Sequence, residues 1–312
     1  LAGADFRFRR PKPDRLLAAA ANRRGILYML GAVACFVAND ALVKYASQSL
    51  PTAQLIFLRG AMATALVLAV AQASGATARI REGLRGWVLI RAGVDAVATM
   101  LYLSSLFQLP IANATAINLA APIFMTVFAA MFMHERVGFA RWLAIAIGFM
   151  GVVLIIQPRA EGFNIYALVC LAGTVLHATR DLLTRKIPVA VPSILITLAT
   201  SAAVTLLAGG LSLVQGWRDF GAAQLGLLAM ASVFLAAGYY LIINSMRHGE
   251  MSLIAPFRYS GLLFAVVLGY TIWGDVPNLV AWCGIALLVG SGLYVLYHER
   301  QRVRRAAALE VS

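Results

Sequence analysis

The sequence predicts an all-α membrane protein: ten transmembrane helices arranged as two inverted five-helix repeats, with both termini cytoplasmic. Three observations predict it. Hydrophobic residues make up 61% of the 312-residue chain and charged residues only 12%, against about 45–50% and about 25% in soluble domains. The apolar residues gather in runs of about 18 or more, which favours spanning helices over a barrel. The second half of the chain also echoes the first at an offset of about 141 residues.

The runs place spans at 25–46, 53–73, 87–106, 111–133, 139–156, 164–186, 193–214, 224–246, 252–273 and 278–298. At about 1.5 Å per residue each crosses most or all of a hydrocarbon core roughly 30 Å thick. Connections are short, so successive helices are expected to be antiparallel neighbours. The chain divides into a basic tail (1–24), a first repeat (25–160), a second repeat (161–298) and a second basic tail (299–312).

Orientation follows from Lys and Arg. The N-terminal tail holds Arg7, Arg9, Arg10, Lys12, Arg15, Arg23 and Arg24, and the C-terminal tail Arg300, Arg302, Arg304 and Arg305. Arg79, Arg81, Arg85, Arg136, Arg141, Arg185, Lys186 and Arg247 fall in connections on the same side, whereas the opposite loops hold only Arg159 and Arg218. The positive-inside rule therefore puts both termini in the cytoplasm. The net charge of +13 would suggest nucleic acid in a soluble protein; here it marks cytoplasmic loops, and no nucleic-acid partner is expected. The basic residues 1–24 lead into a full-length span, so no cleavable signal peptide is expected.

The repeat rests on several weak matches taken together. Asp40-Ala41-Leu42-Val43-Lys44 answers Asp181-Leu182-Leu183-Thr184-Arg185, and Pro51 aligns with Pro192, Ser105 with Ser245, Phe124 with Phe264, Glu135 with Asp275 and Trp142 with Trp282. Each half holds an odd number of spans, so the halves must be oppositely oriented, a recurring transporter design.

Ten spans in two inverted halves, with an acidic residue closing the fourth and ninth helices (Glu135 and Asp275), resemble the drug/metabolite transporter superfamily of the EamA type. Among its members the chain looks most like the YddG-type amino-acid exporters. The resemblance covers residues 25–298 and is specific for fold rather than substrate. It implies a central cavity between the halves, lined mainly by helices 1, 3, 4, 6, 8 and 9.

Charge inside the spans supplies the candidate site. Each buried charge costs about 2.5–3.5 kcal/mol on insertion scales, so it is kept where it meets a partner or a watery cavity. The stretch 174–186 carries His177, Arg180, Asp181 and Arg185. Asp40 lies about 22 Å along helix 1 from Gly25, and is expected to pair with Arg59 or with Lys44. The alternative is a purely structural ion pair. Asp181 and Arg258 are expected to form an inner counterpart, the two clusters acting as alternating gates. Arg91 and Asp95, four apart on one helix face, are expected to neutralise each other. His177 is assigned to the cavity wall rather than to a proton relay.

Pro122 interrupts helix 4 and cannot donate to the carbonyl of Asn118. A kink with a free acceptor near the midplane suits a cavity, with Asn113, Thr115 and Asn118 along it. Pro256, at the start of helix 9, is the lesser kink. Asn39 and the tyrosines Tyr102, Tyr239, Tyr240 and Tyr259 complete the candidate substrate-binding set, since tyrosine offers a ring and a polar tip. Core packing is the competing reading for any one of them. Gly148, Gly151, Gly284, Gly290 and Gly292 give helices 5 and 10 small faces for close packing, so a monomer or a weak homodimer is expected.

The function predicted is secondary or facilitative export of small metabolites, neutral or aromatic amino acids foremost, across a bacterial inner membrane. Multidrug or nucleobase export on the same fold is the alternative. No GxxxxGK[ST] loop is present for an ATP-driven pump. An intramembrane enzyme is disfavoured: His134-Glu135-Arg136 lacks the second histidine of HExxH, and Gly290-Ser291-Gly292 lacks the flanks of a nucleophile turn. A scaffold would not need so many intramembrane charges. Cys35, Cys170 and Cys283 lie within spans without metal spacing, so neither metal nor cofactor is expected.

Overall fold

The structure is a computed structural model describing residues 13–132, 139–157, 164–184, 186–188, 190–248 and 255–309. Among these residues it is entirely helical. Helix α1 runs Pro13–Ala46, α2 Thr52–Ala73, a short α3 Ile80–Gly83, α4 Trp87–Leu106, α5 Ile111–Asn118 and α6 Ala121–Phe132. Then come α7 Phe139–Ile156, α8 Tyr166–Thr184, α9 Ser193–Gln215, α10 Ala222–His248, α11 Ser260–Trp273 and α12 Leu279–Leu309. Short 3₁₀ helices precede α3 (Ala76–Arg79) and α11 (Ala255–Tyr259). Among the described residues, seven helical stretches are long and apolar enough to cross a membrane, and three shorter apolar ones (Trp142–Ile156, Phe257–Trp273, Leu279–Val295) accompany them.

Proline and glycine set several of the ends. Pro51 and Pro192 stand in the same extended conformation (φ −57° and −59°) as N-caps of α2 and α9. They start the helices at equivalent places because proline needs no N–H there. The fourth span is broken rather than gently kinked. α5 stops at Asn118, and α6 begins at Ala121 with Pro122 in its first turn. The missing proline N–H cannot continue the ladder to Asn118. At the far end of α11, Gly274 takes a left-handed φ of 71°. Its N–H bonds the Tyr270 carbonyl while Asp275 N–H bonds that of Gly269, a closure that favours glycine.

The packing is pairwise. α1 lies on α10, α4 on α8, α2 on α9 and α7 on α12, with further contacts of α2 with α10, α4 with α9, α6 with α8 and α1 with α11. A shift of 141 residues takes α1 to α8, α2 to α9, α4 to α10, α5–α6 to the second 3₁₀ helix with α11, and α7 to α12. It exchanges the α1–α10 contact with α8–α4, α2–α10 with α9–α4, and α6–α8 with α11–α1. The α2–α9 and α7–α12 contacts map onto themselves. On the α2–α9 seam Thr64 and Thr205, separated by 141 residues, share a hydrogen bond of 3.2 Å.

Small residues let the helices approach. A Cβ on Gly151 would lie 2.6 Å from the Gly284 carbonyl oxygen, and the reverse substitution meets the same clash. A Cβ on Gly292 would overlap the Tyr259 hydroxyl. The small faces expected of helices 5 and 10 thus seal α7 on α12. Large apolar side chains such as Leu55, Ile56, Leu103, Ile117 and Leu228 fill the interior, while Leu206, Leu213 and Leu263 stand on the outer surface. An apolar exterior of this kind is what lipid requires.

Candidate functional site: a charged cavity among the helices

A cavity of about 340 Å³ opens among the helices. Its walls come from α1, α2, α4, the α5–α6 break, α8, α9, α10 and Arg258 of the second 3₁₀ helix. The expected wall helices are all present, and α2 and α9 join them through Arg59, Gly60, Thr197 and Thr200. They enter because α2 packs directly on α9. The helices of the fifth and tenth predicted spans, α7 and α12, stay outside.

Two polar clusters face this space. In the first, Asn39 Nδ2 donates to Asp40 Oδ1 (2.9 Å), Tyr102 O–H donates to Asp40 Oδ2 (2.9 Å), and Arg59 Nη1 donates to Asn39 Oδ1 (3.3 Å). Arg59 is 6% exposed and its Nε has no hydrogen-bond partner. Ser232 Oγ donates to the Arg59 carbonyl and ties α10 to α2.

The expected pairing of Asp40 with Arg59 or Lys44 is therefore refined: with Arg59 it runs through Asn39 rather than by contact, and with Lys44 it is not made. No salt bridge within 4.0 Å joins Asp40 to either among the described residues. Asn39 stands between Asp40 and Arg59. Lys44, a turn nearer the helix end, carries its ammonium away to the Leu109 carbonyl and over the Trp273 ring, 5.2 Å from the centroid. A long aliphatic stem lets lysine make that reach.

In the second cluster Arg180 holds two carboxylates. Its Nη1 meets Asp95 Oδ1 at 2.7 Å, and its Nε and Nη2 meet Asp181 Oδ1 at 2.9 and 2.8 Å. Asp95 is 3% exposed. This revises two expectations. Arg91 makes no ion-pair contact with Asp95; its Nε donates to Thr184 Oγ1 (2.8 Å) and its Nη1 to Thr200 Oγ1 (2.7 Å). α4 packs against both α8 and α9, so Arg91 finds hydroxyls across the seam while Arg180 reaches Asp95 from α8. Nor does Asp181 pair with Arg258, because the adjacent guanidinium already holds it. Arg258 lines the cavity and is exposed.

His177 and Asn118 join the two clusters along the wall. His177 Nδ1 and Asn118 Oδ1 are 2.9 Å apart, a hydrogen bond that the Nδ1–H tautomer of the ring would donate. Its Nε2 stands 4.0 Å from Asp95 Oδ1, and its ring lies 5.9 Å from that of Tyr102. Both residues line the cavity. The break at Pro122 is what leaves Asn118 at a helix end facing this space.

The tyrosines divide. Tyr102 and Tyr239 line the cavity, and Tyr239 packs edge-on to Phe36 at 5.4 Å. Tyr240, the next residue, is 67% exposed on the outer surface, because one step along a helix turns the side chain about 100°. Tyr259 is buried against Gly292 of α12 and is not among the lining residues. Pro256 sits in the second 3₁₀ helix; its side chain and Glu135 lie outside the described residues. Phe36, Thr99, Thr197, Thr200 and Ser201 also line the wall. Phe36 was foreshadowed by its place one turn before Asp40; the hydroxyls of α9 carried no such signal.

Among the described residues no group of three or more His, Cys, Asp or Glu side chains is arranged to hold a metal ion. Charges of both signs, amides and aromatic edges can instead bind an uncharged or zwitterionic organic molecule through hydrogen bonds and ring contacts.

The EamA-like transporter family matches residues 23–157 and again 164–297. The chain is 26% identical over 291 residues to a riboflavin transporter of Vibrio cholerae, covering 90% of this chain and 96% of that one. It is 27% identical over 272 residues to the pseudopaline exporter CntI of Pseudomonas aeruginosa (86% and 94% covered). It is 24% identical over 282 residues to an S-adenosylmethionine uptake transporter of Rickettsia conorii (90% and 95%). A solved crystal structure, 18% identical in sequence, superposes with a TM-score of 0.61 over 89% of this chain and 98% of its own, a likeness of fold.

Proposed function

We propose, since the chain belongs to the EamA-like transporter family and is a multi-pass membrane protein that moves a small molecule, that its cargo is an amphipathic metabolite with an aromatic or apolar body and a polar, charged head. Neutral and aromatic amino acids are the smallest members of this class. The observation that carries the reading is the cavity. At about 340 Å³ it falls at the lower end of the roughly 300–1,000 Å³ usual for small-molecule sites. It sets Asp40, Arg59, Asp95, Arg180 and Asp181 beside Phe36, Tyr102, Tyr239 and His177. Substrate contacts are assigned to Asn39, Tyr102, Asn118, His177 and Tyr239. Riboflavin and S-adenosylmethionine, named for two relatives, likewise join a ring system to a polar chain.

The mechanism is alternating access without ATP, the two halves rocking around the cavity. The exchange of packing contacts under the 141-residue shift, the Thr64–Thr205 bond on the α2–α9 seam and the double family match support two inverted five-helix repeats. The distribution of Lys and Arg supports both termini in the cytoplasm of a bacterial inner membrane. The chain acts as a transporter and not an enzyme, and functions as a monomer or weak homodimer.

Counterflow in proteoliposomes tests this. Vesicles loaded with unlabelled amino acids, riboflavin or S-adenosylmethionine receive the labelled compound outside. Saturable uptake of at least one, lost in His177→Ala and Asn118→Ala proteins that remain folded, is the expected result. Absence of counterflow for the whole panel from folded protein would sink the reading. Repeating the assay with vesicles sorted by orientation reads the direction of transport.

A further inference from the structure

Three guanidiniums line the cavity, and they differ in what they can still accept. Arg180 is occupied by Asp95 and Asp181. Arg258 is exposed. Arg59 is 6% exposed, yet it meets no carboxylate within 4.0 Å among the described residues, and its Nε has no partner. Its nearest acid, Asp40, acts on it only across Asn39, and a buried intramembrane guanidinium with no anion in contact is costly and is kept where a ligand or cavity uses it.

The residue between Arg59 and Asp40 shows what that ligand offers. The Asn39 amide presents NH₂ to the Asp40 carboxylate and its carbonyl oxygen to the Arg59 guanidinium. It is a neutral group with a donor on one side and an acceptor on the other. The ammonium and carboxylate of an α-amino acid head have the same polarity at full charge and the same close spacing. Charge-assisted bonds of this kind are roughly twice as strong as neutral ones, and a guanidinium engages a carboxylate in bidentate fashion. Tyr102, whose hydroxyl donates to the other oxygen of Asp40, holds that carboxylate in place on the far side. Phe36, one helical turn before Asp40 and edge-on to Tyr239, provides the apolar floor.

We propose that Asp40, Asn39 and Arg59 form a zwitterion-reading subsite, with Asn39 bridging the two charges until the amino and carboxylate groups of the cargo do so. Arg59 is then the specificity-determining residue for the carboxylate and Asp40 for the ammonium. This rests on the amphipathic-cargo reading and narrows it to molecules that carry an α-amino acid head. Arg180, Asp95 and Asp181 lie outside the subsite.

Binding of L-tryptophan, tryptamine and indole-3-propionate to the full chain in lipid nanodiscs, followed by calorimetry, tests it. These probes share a ring and differ in the head. Wild-type protein binds L-tryptophan about 10- to 100-fold more tightly than either analogue, the range expected for a hydrogen bond to a charged group. Arg59→Gln abolishes the preference over tryptamine and keeps the preference over indole-3-propionate; Arg59→Lys retains part of the former. The wild-type series stands alone if a variant fails to fold. Equal binding of all three by wild type, or an undiminished preference over tryptamine in folded Arg59→Gln, overturns the subsite and leaves the transporter reading intact. Failure of wild type to bind any of the three, alongside counterflow of another compound, also overturns it, whereas loss of all counterflow strikes the transport reading itself.

Discussion

The cavity's two polar clusters hold similar residues in opposite states. Around Arg180 the charges are closed on themselves: one guanidinium, two carboxylates, contacts of 2.7–2.9 Å. Around Asp40 the charges are kept apart, joined only through a neutral amide and a phenol. The first arrangement satisfies its members and ties α8 to α4. The second leaves donor capacity on Arg59 unused. Buried ion pairs are weak evidence of net stabilisation, but losing one partner is expensive because the other is stranded. We therefore assign the closed cluster to architecture, or to a gate that must break as a unit, and propose the open one for ligand recognition.

The sharpest way to break this contrast is to remove Arg180. Arg180→Ala strands Asp95, which is 3% exposed. Loss of one partner of a buried pair costs about 3–5 kcal/mol in a dry interior; the cavity admits water, so about 2–4 kcal/mol is expected here. Thermal unfolding in detergent and the fraction of monodisperse protein read it. Stability equal to wild type would mean that the closed cluster holds nothing together.

A smaller effect is expected from the open cluster. Asp40→Asn keeps an acceptor oxygen for the Tyr102 hydroxyl and removes no salt bridge, so stability should fall by only about 1 kcal/mol. Counterflow should fall far more, because an amide cannot hold an ammonium as a carboxylate does. The ratio of the two losses separates recognition from architecture. A large stability loss with transport reduced only in proportion would return Asp40 to a structural role.

Much of the helical layout was legible in the sequence. α2 was expected over 53–73 and runs Thr52–Ala73; α9 was expected over 193–214 and runs Ser193–Gln215. Apolar runs bounded by Pro51 and Pro192 determine those ends locally. The wall residues Asn39, Tyr102, Asn118, His177 and Tyr239 were legible too, as polar groups in segments that lipid would not tolerate. The pairings were not. Asp40 and Lys44, like Arg91 and Asp95, are four apart and share a helix face, and local geometry points to self-neutralisation. Long flexible side chains instead cross the seams, to a carbonyl for Lys44 and to threonines for Arg91. Which seam lies within reach is a property of the packed bundle. Tyr259 fails for the same reason: only the packed α12 shows that its ring fills the notch above Gly292. Thr64 and Thr205 are the opposite case, since their 141-residue spacing could have marked the α2–α9 seam in advance.

The smallest expected effect is the one that most cleanly separates sequence proximity from contact. A double-mutant cycle on Arg91→Met and Asp95→Asn should give a coupling energy of only about 0.5 kcal/mol, that of opposite charges on one helix face without an ion-pair contact. The Asp95–Arg180 pair should couple by about 1–3 kcal/mol in the same assay. Arg91→Met still has its own cost, because Thr184 and Thr200 each lose a charge-assisted donor, and most of that cost should persist with Asn at 95. If Arg91 and Asp95 couple as strongly as Asp95 and Arg180, then Asp95 is shared between two guanidiniums, the closed cluster extends along α4 towards α9, and Arg91 must be counted among its members.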